Sequence, residues 1–98
     1  MKQTIAGISL LCLVSIHAAH ADERRANICA ASLQPFARLV FDAVNARPQP
    51  AVMLRTLLEA RVRELVFMDR LMVDAARPAA EAASTCLRIA RNCIGDNC

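Results

Sequence analysis

Four cysteines, Cys29, Cys86, Cys93 and Cys98, follow the apolar amino-terminal stretch of this 98-residue chain, and no other feature limits its folding as much. A domain of this size barely offsets the entropy of ordering by burying apolar surface alone. An even number of cysteines in a short exported chain reads as a disulfide framework, here two bonds. A four-thiolate zinc site is the competing reading. Zinc ligands usually come in close C-x2-C pairs, whereas here 56, six and four residues separate successive cysteines, so no metal is assigned.

Export is legible at the start of the chain. Lys2 supplies a positive charge, residues 4–16 form an apolar run, and Ala19-His20-Ala21 is a small-x-small cleavage pattern before the charged Asp22-Glu23-Arg24-Arg25. This is the layout of a secretory signal peptide cleaved after Ala21. The run is shorter than the ~20 apolar residues of a membrane-spanning helix, which disfavours a permanent anchor. Leu11 precedes Cys12 where a lipoprotein signal carries a small residue, so lipidation is not expected. The expected organisation is a signal peptide over residues 1–21, then a single disulfide-stabilised helical domain over residues 22–98, periplasmic or secreted.

Cleavage would also narrow the chemistry. His17, His20 and Lys2 leave with the leader, so the mature chain has no histidine or lysine, and the whole sequence has no tyrosine or tryptophan. A Ser-His-Asp or Cys-His arrangement, a Schiff-base lysine and histidine metal ligation are then excluded. Ser32 reads as a local cap and Ser84 as a surface helix residue, neither with a base beside it. Glu59, Glu64, Asp69 and Asp74 recur every five residues, so they drift around a helix instead of converging. Redox catalysis usually uses C-x-x-C, which is absent. No enzyme and no cofactor are expected. Eleven arginines against nine acids leave a net charge near +2, too small and scattered for nucleic-acid binding, and aromatic stacking platforms are missing.

The apolar periodicity is helical throughout. A first helix is expected over residues 23–46, with Cys29, Leu33, Phe36, Leu39, Val40, Ala43 and Val44 on one face. Pro35 should kink or restart it near Ser32. Arg47-Pro48-Gln49-Pro50 is a stiff turn. A second helix is expected over residues 51–76, with Leu54, Leu57, Leu58, Leu65, Met68 and Met72 on its main face and Val66, Val73 and Phe67 on its flanks. Arg77-Pro78 would end it, with Pro78 opening a third helix over residues 78–94 and Gly95 just beyond its end. The expected fold is therefore all-α, a three-helix up-down-up bundle with two disulfides after a cleavable signal peptide.

Helix geometry also restricts the pairing. Cys86 and Cys93 lie about 10 Å apart along one helix, beyond the ~7 Å a disulfide spans. Measured from the first turn, Cys29 lies about 25 Å down and Cys86 about 27 Å down, nearly level. Cys29–Cys86 with Cys93–Cys98 is the expected pairing. Cys29–Cys93 with Cys86–Cys98 is the alternative.

Four residues stand out as candidate partner contacts. Arg61 falls within the second helix's apolar arc, where its stem can lie along the core with its head near Glu64 or Asp42. Phe41, Phe67 and Leu71 fall off the main faces, and together on the surface they would form a large apolar patch for so small a domain. Phe41, Arg61, Phe67 and Leu71 are expected to contact another envelope or secreted protein. The function expected is an exported protein-binding module of inhibitor, immunity or envelope-accessory type. A membrane-active or secreted effector is the alternative, less favoured because acids nearly balance arginines. A thiol-based redox or metal-binding protein is the third reading, and a homodimer is compatible with the first.

Overall fold

The computed structural model describes residues 22–93 and Cys98. These residues are all helical or in connections. Four helical segments follow one another: α1 over residues 22–31, α2 Pro35–Ala46, α3 Leu54–Phe67 and α4 Val73–Ala90. Residues 1–21, with the expected leader, lie outside the described residues, as does Gly95. Helices α2, α3 and α4 each pack against the other two.

The first break falls where Pro35 sits, but it does more than kink a helix. Gln34 is extended at φ −62°, ψ 157°, and Pro35 takes the first position of α2, where its fixed φ suits the helix and its missing N–H needs no partner. The Ser32 hydroxyl donates to the Cys29 carbonyl at 2.8 Å, and the Leu33 amide to the Ala30 carbonyl at 3.1 Å, closing α1. The break resets the apolar phase. Helix α1 buries Ala26 and Ala30, while α2 buries Ala37, Val40, Phe41 and Val44, the i, i+3, i+4, i+7 pattern of one helical face. The expected single face runs through both helices without this reset, so Val40 and Val44 are buried as expected, Phe36 is exposed, and Phe41 takes a core position.

The second break lies at residues 68–72, not at Arg77-Pro78 as expected. Asp69 adopts a left-handed conformation at φ 57°. Its amide donates to the Val66 carbonyl at 3.1 Å, and the Arg70 amide reaches the Leu65 carbonyl at 2.9 Å. This is the paired bonding of a Schellman motif, with aspartate at the position glycine usually holds. Leu71, next along, is 3% exposed. Burying a leucine contributes about 1.5–3 kcal/mol, more than the ~1–2 kcal/mol a non-glycine residue loses in the left-handed region. Helix α4 then begins with Asp74 in its first turn, where an acid suits the helix dipole, and runs through Pro78. Without its own N–H, Pro78 leaves the Asp74 carbonyl lacking its usual helical donor. At the far end Asn92 repeats the motif at φ 55°: its amide donates to the Ile89 carbonyl and the Cys93 amide to the Arg88 carbonyl. That bonding ends α4 before Gly95 is reached.

Both expected disulfides are present. Cys29 bonds Cys86 with Cα atoms 5.5 Å apart, tying α1 to α4, and Cys93 bonds Cys98 at 5.3 Å. Asp22 and Arg25 share a cleft with Arg88, Ile89, Asn92 and Cys93, so α1 descends alongside α4 in the opposite direction. Two disulfides in so short a chain indicate an oxidising compartment.

Two outcomes follow for stability. In the chain-entropy picture, replacing Cys29 and Cys86 with serine should lower unfolding free energy by about 4 kcal/mol, against about 2 kcal/mol for Cys93 and Cys98. Urea titrations of the two double variants would read that difference. Asp69→Gly should raise stability by roughly 1 kcal/mol, because glycine enters the left-handed region without a Cβ clash. An unchanged denaturation midpoint for that variant would argue against the turn described.

Candidate interaction surface

The four residues expected to meet a partner do not share a surface. Phe41 is 2% exposed and among the largest fully buried side chains; Leu71 is 3% exposed beneath the α3–α4 connection. Both belong to the core, so the premise that they are exposed together with Phe67 fails. Phe67 stands alone of the three at the surface, 89% exposed.

Arg61 is buried, and its partners are local. Its guanidinium donates to Glu64 Oε1 at 3.3 Å and to the Arg47 carbonyl at 3.4 Å, while the other Glu64 oxygen accepts from the Arg47 guanidinium. Glu64 was one of the two acids expected nearby, and the stem lies within the core as expected. The head, however, remains inside, and its Nε has no acceptor. A buried guanidinium is tolerated only when paired and hydrogen-bonded. The cluster thus joins the middle of α3 to the residue that ends α2. Exposed pairs Arg38–Asp42, Arg55–Glu59 and Arg77–Glu81 at four-residue spacing contribute little by comparison.

Exposed apolar side chains concentrate instead at the α3–α4 apex. Phe67, Met68, Met72 and Val73 (Val73 at 77%) account for four of the seven large exposed hydrophobic residues among those described, all within residues 67–73. The remaining three, Ile28, Phe36 and Met53, lie on other elements. The Schellman bonds fix the apex backbone from below, and buried Leu71 anchors it. Asp69, Arg70 and Asp74 are exposed among these side chains, with Arg63 and Arg77 one helical turn back on either arm. Reading residues 51–76 as one helix assigns Met68 and Met72 to its core face and so hides the apex. The available signal was the string Phe-Met-Asp-Arg-Leu-Met-Val, too densely apolar for one helix to bury on one side.

Two open clefts occupy the opposite end, around the carboxyl end of α4. One is bordered by Pro48, Pro50, Ala90, Arg91, Cys93 and Cys98. The other lies between α1 and α4, with Cys93 again on its border. Arg91 donates to the Val52 carbonyl at 2.7 Å and to the Gln49 carbonyl at 3.0 Å, pinning the α2–α3 connection there. The Leu54 amide donates to the Cys98 carbonyl oxygen at 2.6 Å. Among the described residues no helix is long and apolar enough to cross a membrane, and no three metal-ligating side chains converge. No protein-family model, curated protein or solved structure matches the chain.

The Arg61 cluster is testable by a double-mutant cycle. Glu64→Ala leaves the buried guanidinium with only a carbonyl and should destabilise by about 1–2 kcal/mol, below the full buried-pair value because Glu64 is half exposed. Arg61→Met removes the charge and should be neutral or stabilising. The double variant should then recover most of the Glu64→Ala loss; additive effects would contradict the coupling.

Proposed function

We infer that this chain is exported by its amino-terminal leader and cleaved after Ala21. The mature protein is a small helical binding module of inhibitor, immunity or envelope-accessory type. It presents the rigid α3–α4 apex to an apolar pocket on a partner protein. One observation carries the reading: Phe67, Met68, Met72 and Val73 stand exposed together on a hydrogen-bonded turn. Contiguous exposed apolar patches mark interaction sites, and aromatic residues and methionine are enriched at them. A fixed turn also loses little entropy on docking.

A protein pocket fits better than a lipid surface. Asp69 and Asp74 sit on the apex itself, and inserting them into a bilayer is costly. The arginines around them nearly balance these acids, so attraction to anionic lipid is weak. An acyl-enzyme, hydride or metal reaction has no residues among those described to carry it.

Mature protein purified after export should begin at Asp22 and weigh four hydrogens less than its fully reduced form. A photo-crosslinking residue placed at Phe67 should form a discrete protein adduct in envelope extract. The same probe at exposed Glu59 should not. Phe67→Asp should abolish binding to the identified partner with the helical circular-dichroism signal intact. Binding of that variant at wild-type affinity, or vesicle binding by the wild type alone, would overturn the reading.

A further inference from the structure

Side chains open to oxidation are few and unevenly placed. The sequence has no tryptophan or tyrosine. The four described cysteines are already bonded in pairs. Among the described residues this leaves the thioethers of Met53, Met68 and Met72 as the readiest targets of a two-electron oxidant. All three are between 58% and 61% exposed, and the buried core is built from alanine, valine, leucine and phenylalanine around Cys86, without methionine. Oxidising them removes nothing from the core.

Position separates the three. Met53 lies alone before α3, whereas Met68 ends α3, Met72 precedes α4, and with Phe67 and Val73 they form the apolar apex. The backbone of both residues is bonded within the turn. The Met68 amide donates to the Glu64 carbonyl at 3.0 Å, and the Met72 carbonyl accepts from the Ala75 amide at 3.1 Å. The Asp69 and Arg70 amides bond the Val66 and Leu65 carbonyls between them. None of these bonds uses a sulfur, and the side chain that anchors the turn, Leu71, is an inert alkyl group. A change confined to two sulfurs therefore alters the patch and leaves the turn in place.

We propose that Met68 and Met72 form an oxidation site that turns the apex from apolar to polar while the fold stands. The oxidant is a two-electron oxygen donor, a peroxide or a hypohalous acid. With hydrogen peroxide, the thioether lone pair takes one oxygen, the O–O bond breaks and water leaves. Sulfur is oxidised by two electrons and the peroxide is reduced by two. With hypochlorous acid the products are the sulfoxide, chloride and a proton. A dithiol reductase reverses the step: two thiols become a disulfide and the sulfoxide oxygen leaves as water. Each sulfoxide brings a strong acceptor oxygen that an apolar pocket cannot satisfy, so the pair should weaken docking roughly tenfold or more. That last consequence rests on the apex reading; the modification and the change of polarity do not.

The test uses the native protein with both disulfides formed, treated with hydrogen peroxide or, separately, hypochlorous acid, then quenched and mapped by mass spectrometry. Trypsin cuts after Arg63, Arg70 and Arg77, so Met68 and Met72 report in separate peptides. Both should become sulfoxides at rates within about threefold of those in the urea-unfolded chain, with helicity and disulfides retained. A lower requirement for hypochlorous acid assigns the oxidant to hypohalous acids, and a similar one assigns it to peroxides; both support the site. In a Met53→Leu background, oxidation should make the protein elute earlier from a phenyl matrix in a falling salt gradient. Pre-reduced methionine sulfoxide reductases, freed of excess thiol, should restore the elution. The variant carrying Met53→Leu, Met68→Leu and Met72→Leu should elute unchanged after the same treatment. Native rates tenfold or more below the unfolded ones, loss of helicity on oxidation, or unchanged elution of the Met53→Leu protein would overturn the proposal. Capture through the Phe67 probe that persists undiminished after oxidation would overturn it too. An unoxidised protein that captures no partner sinks the apex reading alone and leaves the mapping and elution results to decide this one.

Discussion

The bond between Cys29 and Cys86 is the constraint on which the arrangement rests, because α1 has little else to hold it. Of its ten residues only Ala26 and Ala30 are fully buried. An alanine methyl contributes about 0.8 kcal/mol on burial, while ordering a residue's backbone opposes folding by roughly 1–2 kcal/mol. Two methyls do not offset a ten-residue segment, even with partial help from Leu33 packed against the core. A covalent link removes most of the separated conformations from the unfolded ensemble and leaves α1 little to lose on docking. Small residues at 26, 30, 79 and 83 belong to the same solution, since alanines let helices approach closely enough for a disulfide to form between them.

That covalent restraint changes what the rest of the sequence is required to do. A domain this small usually needs every large apolar side chain inside. Here Phe67, Met68, Met72 and Val73 remain outside, on a turn whose own backbone bonds are complete. Leu71 alone among that run is drawn in. One anchoring leucine with four exposed neighbours makes a rigid apolar tip, and stability is supplied elsewhere by sulfur and by the Arg61–Glu64–Arg47 cluster.

The sequence disclosed topology better than boundaries. The disulfide pairing was legible from helix geometry: a third helix carrying both Cys86 and Cys93 keeps them from bonding, and the level heights of Cys29 and Cys86 chose between the two pairings left. The pairing is the observed one, although α4 ends at Ala90 short of Cys93 and the height arithmetic assumed a straight first helix and a long second one. Punctuation misled where proline and glycine were taken as the only breakers. Asp69 and Asn92 enter the left-handed region without a glycine, because their short polar side chains tolerate it, and Pro78 sits inside α4. Those choices depend on what the turn buries, Leu71 above all, and burial is not a local property of the chain. Phe41 was misplaced for a related reason. Its face is correct for α2 counted from Pro35, and wrong only when the count begins at Cys29. Arg61 was read correctly as far as its Glu64 partner. Its full burial depends on the Arg47 carbonyl, brought in by the end of a different helix.

The apolar tip and the second disulfide lie at opposite ends of α4. From Val73 to Ala90 the helix spans about 27 Å, with the apolar tip at its start and the partly buried Cys93–Cys98 bond just past its end. Contacts at one end therefore do not cover the other. Coupling between them would have to pass through α4 itself, which Cys86 ties to α1 about one turn before its carboxyl end and which packs against α2 and α3. A helix clamped this way transmits little when its final turn loosens. The buried disulfide thus does more than hold α1: it fixes the last turns of α4 against a second helix, so the α3–α4 apex rests on a helix restrained at its far end.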